Sequence, residues 1–163
     1  MIIFHGSDVA VKIPEILPAN RLLDFGEGFY ATSLYEQAER WALRVCQRNK
    51  SLQKIITTYE FDLHEAEKKL TILKYNAPDS EWLRFVTACR SGRETGFKYD
   101  IVMGPVANDN VYATVQLFET GLLSEAEAII RLKTERICDQ IFFHTIESLK
   151  YCGYIKHEIR DIN

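Results

Sequence analysis

Apolar and polar positions alternate along this chain with two different periods, and the switches between them outline its elements. Residues 2–5 form a short apolar run that opens a strand, and Gly6-Ser7-Asp8 behind it reads as a turn, which puts His5 at a strand end. From residue 33 the spacing becomes helical. Leu34, Ala38, Trp41, Ala42 and Val45 share one stripe, and Ser33 with Glu36 forms a capping box, so a helix over about 33–46 is expected, with Trp41 in the core. Residues 55–63 and 70–75 are rich in Ile, Thr, Tyr and Leu, side chains that fit a pleated surface, and predict two strands. Residues 80–90 place Trp82, Phe85, Val86 and Cys89 on one helical face and stop before Gly92, a residue suited to a left-handed cap.

The second half continues the alternation. Residues 99–106 read as a buried strand stopped by Gly104-Pro105, 109–120 as a helix ending at Gly121, and 124–132 as a helix opened by the Ser124/Glu127 capping box. A strand over 138–144, a short helix over 146–152 closed by Gly153, and a strand over 154–159 complete the pattern. The fold class is α+β with a mixed or mainly antiparallel sheet. No repeat, low-complexity run or Gly/Ser/Pro-rich linker divides the 163 residues, so one domain is expected over 1–163.

Composition narrows the chemistry. A net charge of −3 gives no global field for steering onto a polyanion, and 47% hydrophobic with 26% charged residues is that of an ordinary folded protein. No apolar run approaches the roughly 18 residues of a membrane span, and Met-Ile-Ile-Phe-His does not open a signal peptide, so a cytoplasmic protein is expected. Cys46, Cys89, Cys138 and Cys152, like the histidines at 5, 64, 144 and 157, lack ligand spacing, so reduced thiols and no metal are expected.

Three separated pieces carry candidate chemistry: Phe4-His5-Gly6-Ser7, then Phe25-Gly26-Glu27-Gly28-Phe29-Tyr30, then Asp139-Gln140-Ile141-Phe142-Phe143. Taken singly, each has a plain structural role: a strand-end histidine, a glycine turn entering a strand, a buried amide with its hydrogen bonds satisfied. Asn108-Asp109-Asn110 reads first as helix cap and turn, and Arg21 and Arg90, which a pyrophosphate would attract, read first as surface residues.

The order of the three pieces resembles the diphtheria-toxin and poly-ADP-ribose-polymerase branch of ADP-ribosyltransferases, with Gly26-Glu27-Gly28-Phe29-Tyr30-Ala31 followed by Glu36-Gln37-Ala38-Glu39-Arg40-Trp41 in the manner of that branch. The chain also resembles a small bacterial family of unknown function that carries Asp-x-Val-x-Gly-Pro-Val-Ala-Asn-Asp and Asp-Gln-Ile-x-Phe-His-Thr, matched here at 100–109 and 139–145. The resemblance implies a split sheet with flanking helices and NAD⁺ as cosubstrate. It implies that His5, Gly6, Ser7, Gly28 and Tyr30 bind the cofactor, His5 on a ribose hydroxyl, the Gly6 backbone on the nicotinamide carboxamide, and Tyr30 against the nicotinamide ring.

The catalytic set implied is His5, Tyr30 and either Gln140 or Asp139, where the branch places a glutamate. Because successive strand side chains face opposite ways, only one of the two serves, and alignment of Gln140-Ile141-Phe142-Phe143 with the family's run favours Gln140. The departure from glutamate disfavours polymer elongation. The expected function is therefore mono-ADP-ribosyl transfer onto a protein or nucleic-acid acceptor, by the toxin of a bacterial toxin–antitoxin pair with a small antitoxin partner. NAD⁺ glycohydrolysis and an inactive NAD-binding or protein-interaction module are the alternatives.

Overall fold

The computed structural model of the protein describes residues 1–17, 23–92, 98–105, 109–133 and 139–162. Along them run β1 (Ile2–Ser7), β2 (Phe29–Ala31), α1 (Tyr35–Asn49), β3 (Gln53–Phe61), α2 (Leu63–Lys69), β4 (Ile72–Lys74) and α3 (Ser80–Arg90). Then follow β5 (Ile101–Pro105), α4 (Asp109–Glu119), α5 (Glu125–Leu132), β6 (Asp139–Phe143), α6 (Ile146–Leu149) and β7 (Cys152–Asp161). The class is α+β, as the periodicity predicts. The strands form two sheets, a three-stranded antiparallel one ordered β1-β3-β7 and a four-stranded one ordered β2-β6-β5-β4, in which only the β4–β5 pair is parallel.

Strand alternation assigns each sheet two faces, and the burial follows. Ile3, Tyr59 and Phe61 of the first sheet and Phe29, Ile141 and Phe143 of the second form one apolar cluster between the sheets. The opposite face of the second sheet carries Val102 and Phe142 into a second cluster with Trp82, Phe85 and Val86 of α3 and Val115 of α4. Trp82 is fully buried, and its indole N–H donates to Pro105 O at 3.1 Å, which fixes the end of β5 as well as filling the core. The opposite face of the first sheet receives α1, whose Ala38, Ala42, Val45 and Cys46 are buried.

Several local readings are corrected. β1 continues through Gly6 and Ser7, so His5 lies inside the strand, because Gly6 and Ser7 keep pairing with Ile56 and Ile55. Ser33 does not cap α1: the N-cap position is Leu34 without a side-chain bond, and the Ser33 N–H goes instead to Asp139. Trp41 is 39% exposed, since the small residues Ala38 and Ala42 bring the helix axis too close to β1 for an indole beneath it. Helix α2, capped by Asp62 accepting from Glu65 N, was not legible from apolar spacing because only Ala66 is buried. The last short helix ends at Leu149, and Cys152 and Gly153 already belong to β7. Cys138, Val106, Asn108 and Arg21 lie outside the described residues. The α5 capping box forms as expected, with both its hydrogen bonds present. Among the described residues no helix is long and apolar enough to cross a membrane.

Gly6 is where α1 and β1 meet. A Cβ there would stand 1.9 Å from the Ala38 carbonyl oxygen and 2.8 Å from the Ala42 nitrogen, so backbone, not a flexible side chain, would have to move. Gly6→Ala is therefore expected to reach or exceed the upper end of the about 1–3 kcal/mol that overpacking costs. A urea midpoint unchanged from the parent protein would refute this packing argument.

Candidate functional site

Among the described residues, one backbone bridge joins the two sheets. Phe4 N–H donates to Thr32 O at 2.8 Å and Thr32 N–H returns to Phe4 O at 3.0 Å, after which β1 and β2 part without a further backbone rung. Because peptide groups along a strand alternate in direction, the N–H and C=O of Gly6 point to the same edge as those of Phe4, across from Tyr30. The rung that Tyr30 C=O would make there is replaced by a side chain: His5 Nδ1 lies 2.7 Å from Tyr30 O. The His5 ring stacks on Phe29, with centroids 4.7 Å apart and planes 30° from parallel.

That bond fixes the imidazole's chemistry. A carbonyl only accepts, so Nδ1 carries the proton, and in the neutral ring Nε2 is then an acceptor. Burial lowers the His5 pKa below its ordinary 6.5, opposed only by the bond to Tyr30, and keeps the ring neutral. A neutral acceptor nitrogen at the seam of the sheets suits a hydroxyl donor. It does not suit an anion.

Tyr30 meets His5 through its main chain, and its ring lies on the opposite face of β2. There it pairs across the strand with Phe142, centroids 4.8 Å apart. Its hydroxyl donates to Gly26 O at 2.6 Å and receives Phe25 N–H at 3.2 Å, closing the turn in which Gly26 takes φ +94°. Burial raises the phenol's pKa well above 10.0, the Phe25 N–H works against this, and the Asp24 carboxylate adds to it, so Tyr30 stays a neutral phenol. Gly28 allows the turn to approach β6: a Cβ there would lie 2.3 Å from the Phe142 ring and 2.4 Å from Phe143 O.

Asp139 and Gln140 separate as strand geometry requires. The Asp139 carboxylate accepts from Thr32 Oγ1 at 2.7 Å and from Ser33 N at 3.0 and 3.2 Å, so it is committed to the junction between β2 and α1. Gln140 sits two positions before Phe142, on the Tyr30 face, opposite Gly104 of β5. It is 9% exposed, and its Nε2 is buried with no hydrogen-bond partner, contrary to the expectation of a satisfied amide. It lines a cavity of about 290 Å³ shared with Tyr75, Asn76, Gly104 and Pro105. Gly104 lets Tyr75 close over β5, since a Cβ there would be 3.1 Å from the tyrosine Cβ.

Ser7 and Arg90 have structural partners. Ser7 Oγ accepts from Val9 N and donates to Asp8, each at 3.4 Å, and Asp8 in turn receives Ser51 Oγ at 2.6 Å and Asn49 Nδ2 at 2.9 Å. Arg90 is largely buried rather than a surface residue, paired with Asp24 at 2.9 Å and lying 4.1 Å over the Tyr112 ring. Asp109 and Asn110 open α4. Sequence reasoning missed the polar ties around the site. Asp100 accepts from Thr71 N and Thr145 Oγ1, each at 2.9 Å, and so bonds the two segments matched at 100–109 and 139–145 to each other. Co-occurrence of those segments was the available signal.

The chain belongs to a family of proteins of unknown function, DUF3990, whose family model matches residues 1–154. No curated protein and no solved structure matches it.

The neutral histidine yields a pH prediction. Its pKa is lower folded than unfolded, so the unfolded chain binds the extra proton first and His5 favours unfolding as pH falls below about 6.5, down to the lowered folded value. Urea stability is expected to decline from pH 7 to pH 5, and His5→Asn to have a shallower decline over that window. Identical slopes for both proteins would exclude a buried neutral His5.

Proposed function

We propose that this chain transfers a single ADP-ribose from NAD⁺ to a macromolecular acceptor, releasing nicotinamide, and that it acts as the toxin of a bacterial toxin–antitoxin pair. The observation carrying this reading is the Gln140 carboxamide: a buried, unbonded N–H on the Tyr30 face, at a cavity, in the position that the resembling transferases give to their third site residue. An orphaned buried donor costs roughly 1–3 kcal/mol, which an oxygen of a bound ligand recovers. His5, which faces Phe29 on the other side of β2 from Tyr30 and Gln140, would offer its Nε2 acceptor to a ribose hydroxyl, and the Gly6 peptide would offer a donor and an acceptor to a carboxamide.

In the reaction the bond between the ribose anomeric carbon and the nicotinamide nitrogen breaks with its electron pair going to the ring, which leaves as neutral nicotinamide. The acceptor's lone pair forms the new bond to the same carbon, and the acceptor gives its proton to water. None of His5, Tyr30 and Gln140 brings a charge, so the site works by holding geometry.

A second reading, NAD⁺ binding without turnover, is favoured by the locked Tyr30 hydroxyl and the packing of its ring on Phe142, which leave less of the ring for nicotinamide. Nicotinamide release measured with bacterial lysate as acceptor source separates the readings. Gln140→Ala and His5→Ala are expected to lower release at least about 100-fold, and Asp139→Asn to retain most of it while losing about 1–2 kcal/mol of stability with the Ser33 contact. Thermal stabilisation by NAD⁺ with no release from the parent protein would replace the first reading by the second.

Growth supplies an independent test. Expression in bacteria without a partner is expected to arrest growth, with Gln140→Ala relieving the arrest at equal abundance. Harmless parent protein would remove the toxin assignment and leave the chemistry standing.

A further inference from the structure

The free edge of the first sheet carries a self-complementary sequence. β7 pairs with β3 on one side, and among the described residues no strand pairs with its other side. Peptide alternation can be followed across the sheet from the seam: Phe4 bonds to Thr32, so the Phe4/Thr58 pair is unbonded, Thr58 bonds to Lys156, and the N–H and C=O of His157 and Ile159 point outward. A second β7, antiparallel and centred on His157, would place Lys156 of each copy opposite Glu158 of the other, and Ile155 opposite Ile159. Ile155 and Ile159 are about half exposed, and Lys156 is also well exposed. The bulge of β7 falls between Tyr154 and Lys156, outside the 156–158 centre.

We infer that β7 is a homodimer interface, in which two copies of this chain pair edge to edge into one continuous six-stranded antiparallel sheet. Exposed edges are ordinarily guarded by charges that repel a second strand. Here a two-fold axis through His157 turns the charges into two attractive cross-strand pairs, and it brings apolar residues together on either side. Glu158 is held in place by Lys156 Nζ of its own strand at 2.9 Å, by Tyr35 Oη at 3.0 Å and by Arg160 at 3.3 Å, so in the dimer each Lys156 exchanges or shares its own Glu158 with that of the other copy. The inference is independent of any activity, since β7 lies beyond β3 from the β1–β2 seam.

The full chain, examined by light scattering across micromolar concentrations, is expected to show twice the 18.9 kDa mass. Lys156→Glu should weaken the dimer roughly tenfold or more, and Lys156→Glu with Glu158→Lys should restore it, because opposed charges again attract. His157→Pro removes an outward N–H and no bond to β3, so it should give monomers with unchanged far-ultraviolet circular dichroism. Should His157→Pro fail to fold, the charge-exchange pair carries the test alone. A monomer at every concentration, including the case in which this edge takes a strand from a different protein, overturns the proposal. So does a dimer insensitive to Lys156→Glu.

Discussion

Among the described residues, the two sheets of this fold are joined by one pair of backbone hydrogen bonds, between Phe4 and Thr32, and the geometry of the candidate site follows from how the chain separates beyond it. Gly6 must face α1, because only a residue without a Cβ fits against the Ala38 carbonyl. Alternation then turns His5 to the other side of β1, towards Phe29 and the carbonyl that β2 leaves unmatched. A tight helix contact on one face thus sets a neutral imidazole on the other. Helix α1 completes the arrangement: its body packs on the first sheet, while its start is tied to β6 of the second through Ser33 N–H to Asp139 and Gln37 Nε2 to the Asp139 carbonyl at 2.8 Å.

This division of labour explains why most polar residues near the site are not available for chemistry. Hydrogen bonds to an ionised group contribute about 1.5–3 kcal/mol each, and removal of the carboxylate leaves buried donors unpaired. Asp139 accepts from two donors at the β2–α1 junction, Thr32 Oγ1 and the Ser33 N–H shared between its oxygens, and Asp100 holds Thr71, just before β4, and Thr145, the N-cap of α6. His144 approaches the Glu27 carbonyl through Nδ1 at 3.2 Å, bracing the glycine turn from behind. Gln140 differs from these residues in having a buried nitrogen with no partner, a property that Arg90 Nη1 shares.

The class of the fold and the order of its elements were legible because long apolar stripes and strand runs report burial directly. Residues 80–90 and the Ser124 capping box carry local signals that tertiary packing leaves intact, and both appear as expected. Prediction failed where a distant residue takes over a local role. Ser33 and Glu36 form a good capping box on paper, but Asp139, 106 residues away, captures the Ser33 N–H. Trp41 sits on the apolar stripe by spacing, yet the close approach permitted by Gly6 favours alanines beneath the helix and moves the indole to its flank. The choice between Asp139 and Gln140 rested on an alignment shift of one residue. Strand register assigns them opposite faces, and the Asp139 carboxylate is held by Thr32 and Ser33.

The neutrality of the arrangement bears on how the proposed chemistry would be controlled. A carboxylate at the Gln140 position would oppose the positive charge that develops on the ribose as nicotinamide departs. A carboxamide offers a dipole, and a hydrogen bond without an ionised partner is roughly half as strong. The difference of a few kcal/mol corresponds to about two orders of magnitude in rate. With His5 held neutral by burial and Tyr30 held neutral well above its ordinary range, nothing else among these residues supplies the missing charge. On the proposed reading, water alone then reacts slowly, and an acceptor that brings its own nucleophile and fills the cavity beside Tyr75 and Asn76 restores the rate.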